Sequence, residues 1–239
     1  MSIHVEDQDG IAIVRLAHGK VNALDLELLH AITETFGELD RGDATAVVFT
    51  GDGPAFSAGV DLWRILDGGA AYGQEFLPAL EAAFLAVFGL GKPTVAAING
   101  HAIAGGAILA AACDQRVMTA GTIGVTELLV GVPFPTIALE ILAYAWGQPA
   151  ARRAVLSGAT LRPEDALHAG HIDEIGTISA AIARARELTR IPADTFRLTK
   201  AQLHAGIPGP AEPRVTEMWQ RAVEDGRIQR FMRRRTGRR

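Results

Sequence analysis

The chain has 239 residues, of which 49% are hydrophobic and 21% charged, with a formal net charge of −4. Those totals suit one domain of above-average size, or a main domain with a small appendage, and exclude a disordered polymer. They also argue against nucleic acid as a partner.

The single cysteine, Cys113, excludes an internal disulfide, and its neighbours Ala110, Ala111 and Ala112 mark it as a buried, inert thiol. No run approaches the ~20 apolar residues of a membrane span. The N-terminus MSIHVEDQDG lacks the basic start and apolar run of a secretory leader. A cytoplasmic protein without a membrane partner is therefore expected. Charge is uneven: Arg227 to Arg239 hold seven arginines and no acid, either a solvated helix end or a neighbour of phosphates.

In chain order, residues 3–7 and 11–16 read as two strands joined by the turn Asp7-Gln8-Asp9-Gly10. Leu28, Leu29, Ile32, Phe36 and Leu39 recur at helical spacing over 25–39, with Asp25 as N-cap. TAVVFT, at 45–50, suits a strand covered on both faces. Gly51-Asp52-Gly53-Pro54 ends it, and a helical pattern runs from about 72 to 89 before Gly91-Lys92-Pro93. A second buried strand, TVAAI (94–98), leads into the loop NGHAIAGG, an alanine-rich helix to about 112 and a strand at 115–119. From about 135 onward the pattern is almost purely helical, with breaks near Gly147, Gly158, Gly170 and Pro192. The alternation predicts an α/β core with a largely parallel sheet over residues 1–190, then a helical region over 191–239.

Two segments carry the chemistry. Phe56-Ser57-Ala58-Gly59-Val60-Asp61-Leu62 follows one buried strand, and Asn99-Gly100-His101-Ala102-Ile103-Ala104-Gly105-Gly106 follows another and opens a helix. Small residues where a chain leaves a sheet let backbone N–H groups face a ligand without an intervening side chain. A helix N-terminus adds unpaired donors and partial positive charge. Two such sites converging on one point form an oxyanion hole.

In this order the segments resemble those of the crotonase (enoyl-CoA hydratase/isomerase) superfamily, and the resemblance runs along nearly the whole chain. Lys20-Val21-Asn22-Ala23-Leu24 resembles its early CoA-contacting loop, and Ala112-Cys113-Asp114 the end of its central helix. Leu156-Ser157-Gly158 with Pro163-Glu164-Asp165-Ala166 resembles the bridge to its C-terminal helices, and Glu224-Asp225-Gly226 with Phe231 its closing helix. The resemblance implies a spiral of β-β-α turns with a helical C-terminal trimerisation region, assembled as a homotrimer or homohexamer. It implies an acyl-CoA thioester as substrate, with coenzyme A part of that substrate and no separate cofactor. The oxyanion donors would be the N–H groups of Ala58 and Gly105. Substrate contacts would fall on Lys20, Val21, Ala23, Ser57, Ala58, Asp61, Leu62 and Gly105, with apolar lining from Ile108 and Phe134 and phosphate contacts from Lys20 and Lys200.

Hydratases of the superfamily use two glutamates. By alignment the first falls on Ile108, which moves no proton, and the second on Glu127, in Gly124-Val125-Thr126-Glu127-Leu128. One carboxylate suffices to take a proton from C2 of a 3-enoyl thioester and return it at C4, so an isomerase is favoured over a hydratase or a non-catalytic acyl-CoA binder. Val125, Leu128, Val130 and Phe134 surround Glu127 in sequence, so desolvation is expected to raise its pKa toward that of a general base. Asp61 reads chiefly as a helix cap, His101, His168 and His171 as structural, Asp114 as a local hydrogen-bond partner, and Glu140 as either a surface residue or a second acid. No paired His or Cys stands at metal-ligand spacing, and no phosphate-loop or dinucleotide motif is present.

Overall fold

The computed structural model describes residues 2–207 and 213–236. Its first elements, β1 (Ile3–Gln8) and β2 (Ile11–Leu16), form an antiparallel hairpin pairing Ile3 with Leu16 and Gln8 with Ile11. Asp9 and Gly10 turn it at φ of 55° and 79°, in the left-handed region that tight hairpins require. In α1 (Leu26–Arg41) the apolar stripe Leu28, Leu29, Ile32 and Phe36 is buried, and Asp25 caps the helix by accepting from the Leu28 N–H at 2.9 Å.

Three β-β-α units follow. They are β3 (Ala46–Gly51), β4 (Ala55–Ser57) and α2 (Leu62–Phe88); β5 (Thr94–Ile98), β6 (His101–Ile103) and α3 (Gly105–Ala111); and β7 (Gln115–Met118), β8 (Ile123–Gly124) and α4 (Glu127–Val130). Then come α5 (Thr136–Trp146), α6 (Gln148–Ser157), β9 (Thr160–Leu161), α7 (Pro163–His168), β10 (Glu174–Ile175), α8 (Ile178–Leu188), α9 (Ala193–His204), α10 (Pro213–Glu224) and α11 (Arg227–Thr236). The long strand of each unit joins a six-stranded sheet, ordered β1-β2-β3-β5-β7-β10 and parallel except at the hairpin. The short strand of each joins a second sheet, ordered β4-β6-β8-β9. This alternation between two sheets is the spiral of β-β-α turns that the sequence implies.

Both faces of β3 and β5 are covered, which explains their uninterrupted apolar runs. Val47 and Phe49 enter the main core with α1, α2 and α3, whereas Ala46 and Val48 meet Ala181 and Ala185 of α8 on the other face. All seven residues of α3 are buried, and its alanines and glycines let neighbouring backbone come close. Cys113 lies at the end of that helix, buried, and burial pushes its thiol up to about 12, consistent with an inert thiol.

The structure departs from the sequence reading in several places. The helix expected from about residue 72 begins at Leu62 and bends at Gly69, whose φ of 62° and ψ of −154° are non-helical. Strands β4, β6, β8, β9 and β10 are two or three residues long, too short to display an alternating pattern. Two of them, β9 and β10, interrupt the region that reads as purely helical. Val215, Trp219, Ala222 and Ile228 bring α10 and α11 back onto the main core. Among the described residues no helix is long and apolar enough to cross a membrane.

Lys200, expected to meet a phosphate, is already paired with a carboxylate. It is buried, and its Nζ lies 2.9 Å from Asp114 Oδ2, which also accepts from Thr94 N at 2.8 Å and Thr94 Oγ1 at 2.9 Å. The ion pair ties α9 to the start of β5 and the end of α3. Removing one partner of a buried pair strands the other charge. Asp114 keeps 20% side-chain exposure, so Lys200→Met is expected to cost about 2 kcal/mol, below the range for a fully buried pair. Denaturant unfolding measures the loss. The same variant should leave unchanged the ratio of affinities for a CoA thioester and its pantetheine analogue.

Candidate active site

Strands β4 and β6 run parallel and adjacent, pairing Ala55 with His101 and Ser57 with Ala102. The two segments after them therefore leave the sheet side by side in one direction. Their contact needs glycine. A methyl at Gly59 (φ 79°) would stand 2.5 Å from the Ile103 carbonyl oxygen and 3.2 Å from the Gly105 nitrogen. One at Gly106 would stand 2.3 Å from the Ser57 carbonyl oxygen.

A third segment laces onto this pair. Asn22 is buried at φ 51°, and its Nδ2 donates to the carbonyls of Asp52, Ala55 and Phe56 at 3.1, 3.0 and 3.2 Å. Ser57 Oγ donates to the Asn22 carbonyl at 2.7 Å and accepts from Gly59 N at 3.2 Å. Leu24 N donates to Gly59 O at 2.8 Å, and Asp61 N to Leu24 O at 2.9 Å. Asn22 is thus the hub of the loop, a role its place in the sequence does not announce.

The expected donors are placed differently. The Ala58 N–H is not open: it donates to the Val21 carbonyl at 3.0 Å. A backbone donor beside a small cavity takes the nearest acceptor. Gly105 is the first residue of α3, so its N–H has no intrahelical partner, and Ala104 before it offers no side-chain cap. Ala104 holds φ 53° and ψ −122°, a strained conformation for a residue with a Cβ.

Beneath these loops lies a cavity of about 60 Å³ lined by Ala58, Val60, Leu62, Ile103, Ala104, Thr126, Glu127, Val130, Val132, Trp219 and Phe231. Glu127 is the one titratable side chain among the described lining residues. It opens α4 and is buried. Burial pushes its carboxyl up to about 7 against the lowering effect of the Glu127 and Thr126 N–H groups, and Oε2 has no hydrogen-bond partner among the described residues. A desolvated carboxyl with an unused oxygen and a pKa near neutrality is a competent proton acceptor.

Of the residues singled out from sequence, Ala58, Leu62 and Glu127 meet at this cavity, with Gly105 directly behind Ala104. Lys20 is exposed in the turn before Asn22, and Ala23 is half-buried outside the cavity wall. Val21 contributes its carbonyl, and Ser57 ties loops together. Asp61 caps α2 by accepting from the Trp63 and Arg64 N–H groups. Ile108 and Phe134, expected as apolar lining, are buried among the apolar residues of the main core instead. Glu140 is also outside the wall. His101 Nδ1 lies 3.0 Å from Thr122 Oγ1 on the surface, and His171 is buried, stacked on Trp146 at 4.0 Å.

Trp219 and Val132 were not legible as site residues. Val60 and Ile103 lay inside the quoted motifs but carried no chemical signal. Trp219 reaches the cavity only because α10 folds back over α2. A larger cavity, about 710 Å³, lies at the opposite ends of β3 and β5, beside Thr45, Lys92 and Pro93. There Lys92 Nζ is bonded to the carbonyls of Leu39 and Gly42 at 2.5 and 2.6 Å, and no strand-end loop of the small cavity reaches it.

Gly59→Ala should drive apart the two loops, lowering Tm by several degrees and abolishing ligand binding; thermal unfolding and titration calorimetry read both. Glu127 has a folded pKa of about 7 against an ordinary 4.5, so the fold binds the proton more tightly than the unfolded chain. Its contribution to stability is complete below pH 4.5 and is lost as pH rises through 7. Glu127→Gln should therefore raise Tm relative to the parent at pH 8, with the difference gone at pH 4.

Residues 6–230 match the family model described as enoyl-CoA hydratase/isomerase. Over 210 residues the chain is 30% identical to enoyl-CoA delta isomerase 1, mitochondrial, of Rattus norvegicus, covering 84% of this chain and 73% of that protein. The structure superposes on human mitochondrial delta3-delta2-enoyl-CoA isomerase with a TM-score of 0.81 at 26% identity, covering 99% and 92% of the two chains. It superposes on an enoyl-CoA hydratase of Mycobacterium ulcerans with a TM-score of 0.80 at 29% identity, covering 97% and 100%. Matched along almost its whole length in sequence and in fold, the chain belongs to the enoyl-CoA hydratase/isomerase (crotonase) family.

Proposed function

We propose that the protein converts 3-enoyl-CoA thioesters to 2-enoyl-CoA thioesters, with Glu127 as the single acid–base group. The observation that carries this reading is the lone carboxylate in the cavity wall, its Oε2 unpaired and its pKa near 7. Oε2 takes the C2 proton, and the C–H electron pair moves into the C1–C2 bond as the carbonyl π pair moves onto oxygen. The protonated Glu127 then delivers the proton to C4. The C3–C4 π pair takes that proton at C4, the C1–C2 π pair moves to C2–C3 as the oxygen pair restores the carbonyl, and the new double bond is conjugated with the thioester. The carboxylate ends as it began.

The enolate oxygen would be held by the N–H groups of Ala58 and Gly105, as the family resemblance implies. Ala58 N–H must then exchange or share its bond to Val21 O. An anionic oxygen is a stronger acceptor than a neutral carbonyl and favours that exchange. Loss of one such donor costs about 3 kcal/mol of transition-state stabilisation. Hydration would call for a second acid–base group; Ile108 stands at its aligned position, and Glu140 lies outside the wall.

With Lys200 paired to Asp114, the CoA phosphates are assigned to the exposed Lys20 and to the exposed Arg233 and Arg234 of α11, the helix that supplies Phe231. No cofactor beyond the substrate's own CoA is required by this chemistry. Homotrimer or homohexamer assembly in the cytoplasm is carried over from the sequence reading, and Leu128, Leu129 and Leu156 offer exposed apolar surface for it.

Spectrophotometry tests the reaction: 3-hexenoyl-CoA should gain the absorbance of the conjugated product, while crotonyl-CoA should not lose its own. Glu127→Gln should abolish turnover and still bind acyl-CoA. In the parent enzyme kcat/KM should rise with pH and level off above an apparent pKa near 7. Full activity in the glutamine variant, or hydration of crotonyl-CoA as the faster reaction, would overturn the proposal.

A further inference from the structure

The cavity beside Glu127 is small and its aromatic side is rigid. A volume of about 60 Å³, against about 150 Å³ for a cavity that takes a benzene ring, holds about two or three non-hydrogen atoms. Trp219 and Phe231, from α10 and α11, are its aromatic lining. Trp219 is 3% exposed, and its Nε1–H donates to the Pro133 carbonyl at 3.0 Å, one residue beyond Val132 of the same wall. Its ring packs on Phe76 at 6.5 Å, and Phe76 stacks on Tyr72 at 5.9 Å. Tyr72 in turn accepts from the Leu26 N–H at 3.1 Å. The indole is thus anchored to the segment after α4 on one side and, through two further rings, to α2 and α1 on the other. Swinging it aside would break its bond to Pro133 and leave a buried donor unpaired, which proteins avoid.

We propose that Trp219 limits the acyl-chain length, occupying space beside Glu127 so that short acyl groups fit and long ones do not. This rests on the acyl-CoA reading of the cavity. Trp219 acts by shape, and the wall it makes is apolar apart from Glu127 and Thr126, as a hydrocarbon tail needs. A rigid ring in the wall of a cavity discriminates against extra methylenes because they have nowhere to go, not because they bind weakly.

Calorimetric titration of the intact protein with butanoyl-, hexanoyl- and dodecanoyl-CoA tests this without depending on turnover. The parent should bind dodecanoyl-CoA at least about tenfold more weakly than hexanoyl-CoA. Trp219→Ala should bind dodecanoyl-CoA at least about tenfold more tightly than the parent does, since each newly buried methylene is worth about fourfold. Its change in affinity for butanoyl-CoA should be smaller than its gain for dodecanoyl-CoA. Trp219→Leu, the gentler truncation, reads the same shift if the alanine variant does not fold. A parent that binds the two longer thioesters equally, or a folded Trp219 variant with the parent's length profile, overturns the proposal. Failure of all three thioesters to bind would instead overturn the acyl-CoA reading itself, and the chain-length proposal with it.

Discussion

The close approach of the segment after β4 to the segment after β6 is the constraint on which the rest of this protein depends. Two parallel strands deliver both segments in one direction, and glycines at 59 and 106 remove the side chains that would hold them apart. Asn22 and Ser57 then lock the pair to the loop before α1 with hydrogen bonds that leave little freedom. The strain at Ala104 is sustained by this over-determined packing. Without the junction these loops would not meet above the cavity that Glu127 lines.

Glu127 depends on the same geometry from the other side. As the first residue of α4 it has N–H groups of its own turn for one part of its carboxyl, while the apolar wall deprives the rest of solvent. The two effects oppose each other, and desolvation is the larger. A carboxyl in this balance is neither a permanent anion nor a permanent acid near neutral pH, which a proton carrier between two carbons requires. Family membership fixes the class of chemistry. The single carboxylate and the residue at position 108 favour one member of that class over another.

The C-terminal helices finish the cavity rather than decorate it. Trp219 of α10 and Phe231 of α11 line it, and both helices pack on α2, the helix that begins at the cavity with Leu62. The small volume that results follows from a chain reversal late in the sequence. Arg230, Arg233 and Arg234 of α11 are exposed, while Ile228 of the same helix enters the core.

Much of the fold was legible locally. Apolar runs at 45–50 and 94–98 named the buried strands, periodic leucines named α1, Asp25 and Asp61 named two caps, and the paired glycine segments pointed to the loops around the cavity. Each of these is written within a few neighbouring residues, where hydrogen bonds and side-chain periodicity leave a pattern. Strands of two or three residues show no period, so five of them had to be seen in three dimensions.

Tertiary structure alone decided the partners that lie far apart in the chain. Lys200 with Asp114 and Trp219 with Pro133 are each separated by 86 residues. Nothing local distinguishes a lysine that will meet a buried carboxylate from one that will meet solvent, or a core tryptophan from a cavity wall. The same holds for Ala58, whose N–H is claimed by Val21, and for Ile108 and Phe134, which turned into the core. The sequence by itself determined which groups could do the chemistry; which of them face a common space was settled only when the chain closed on itself.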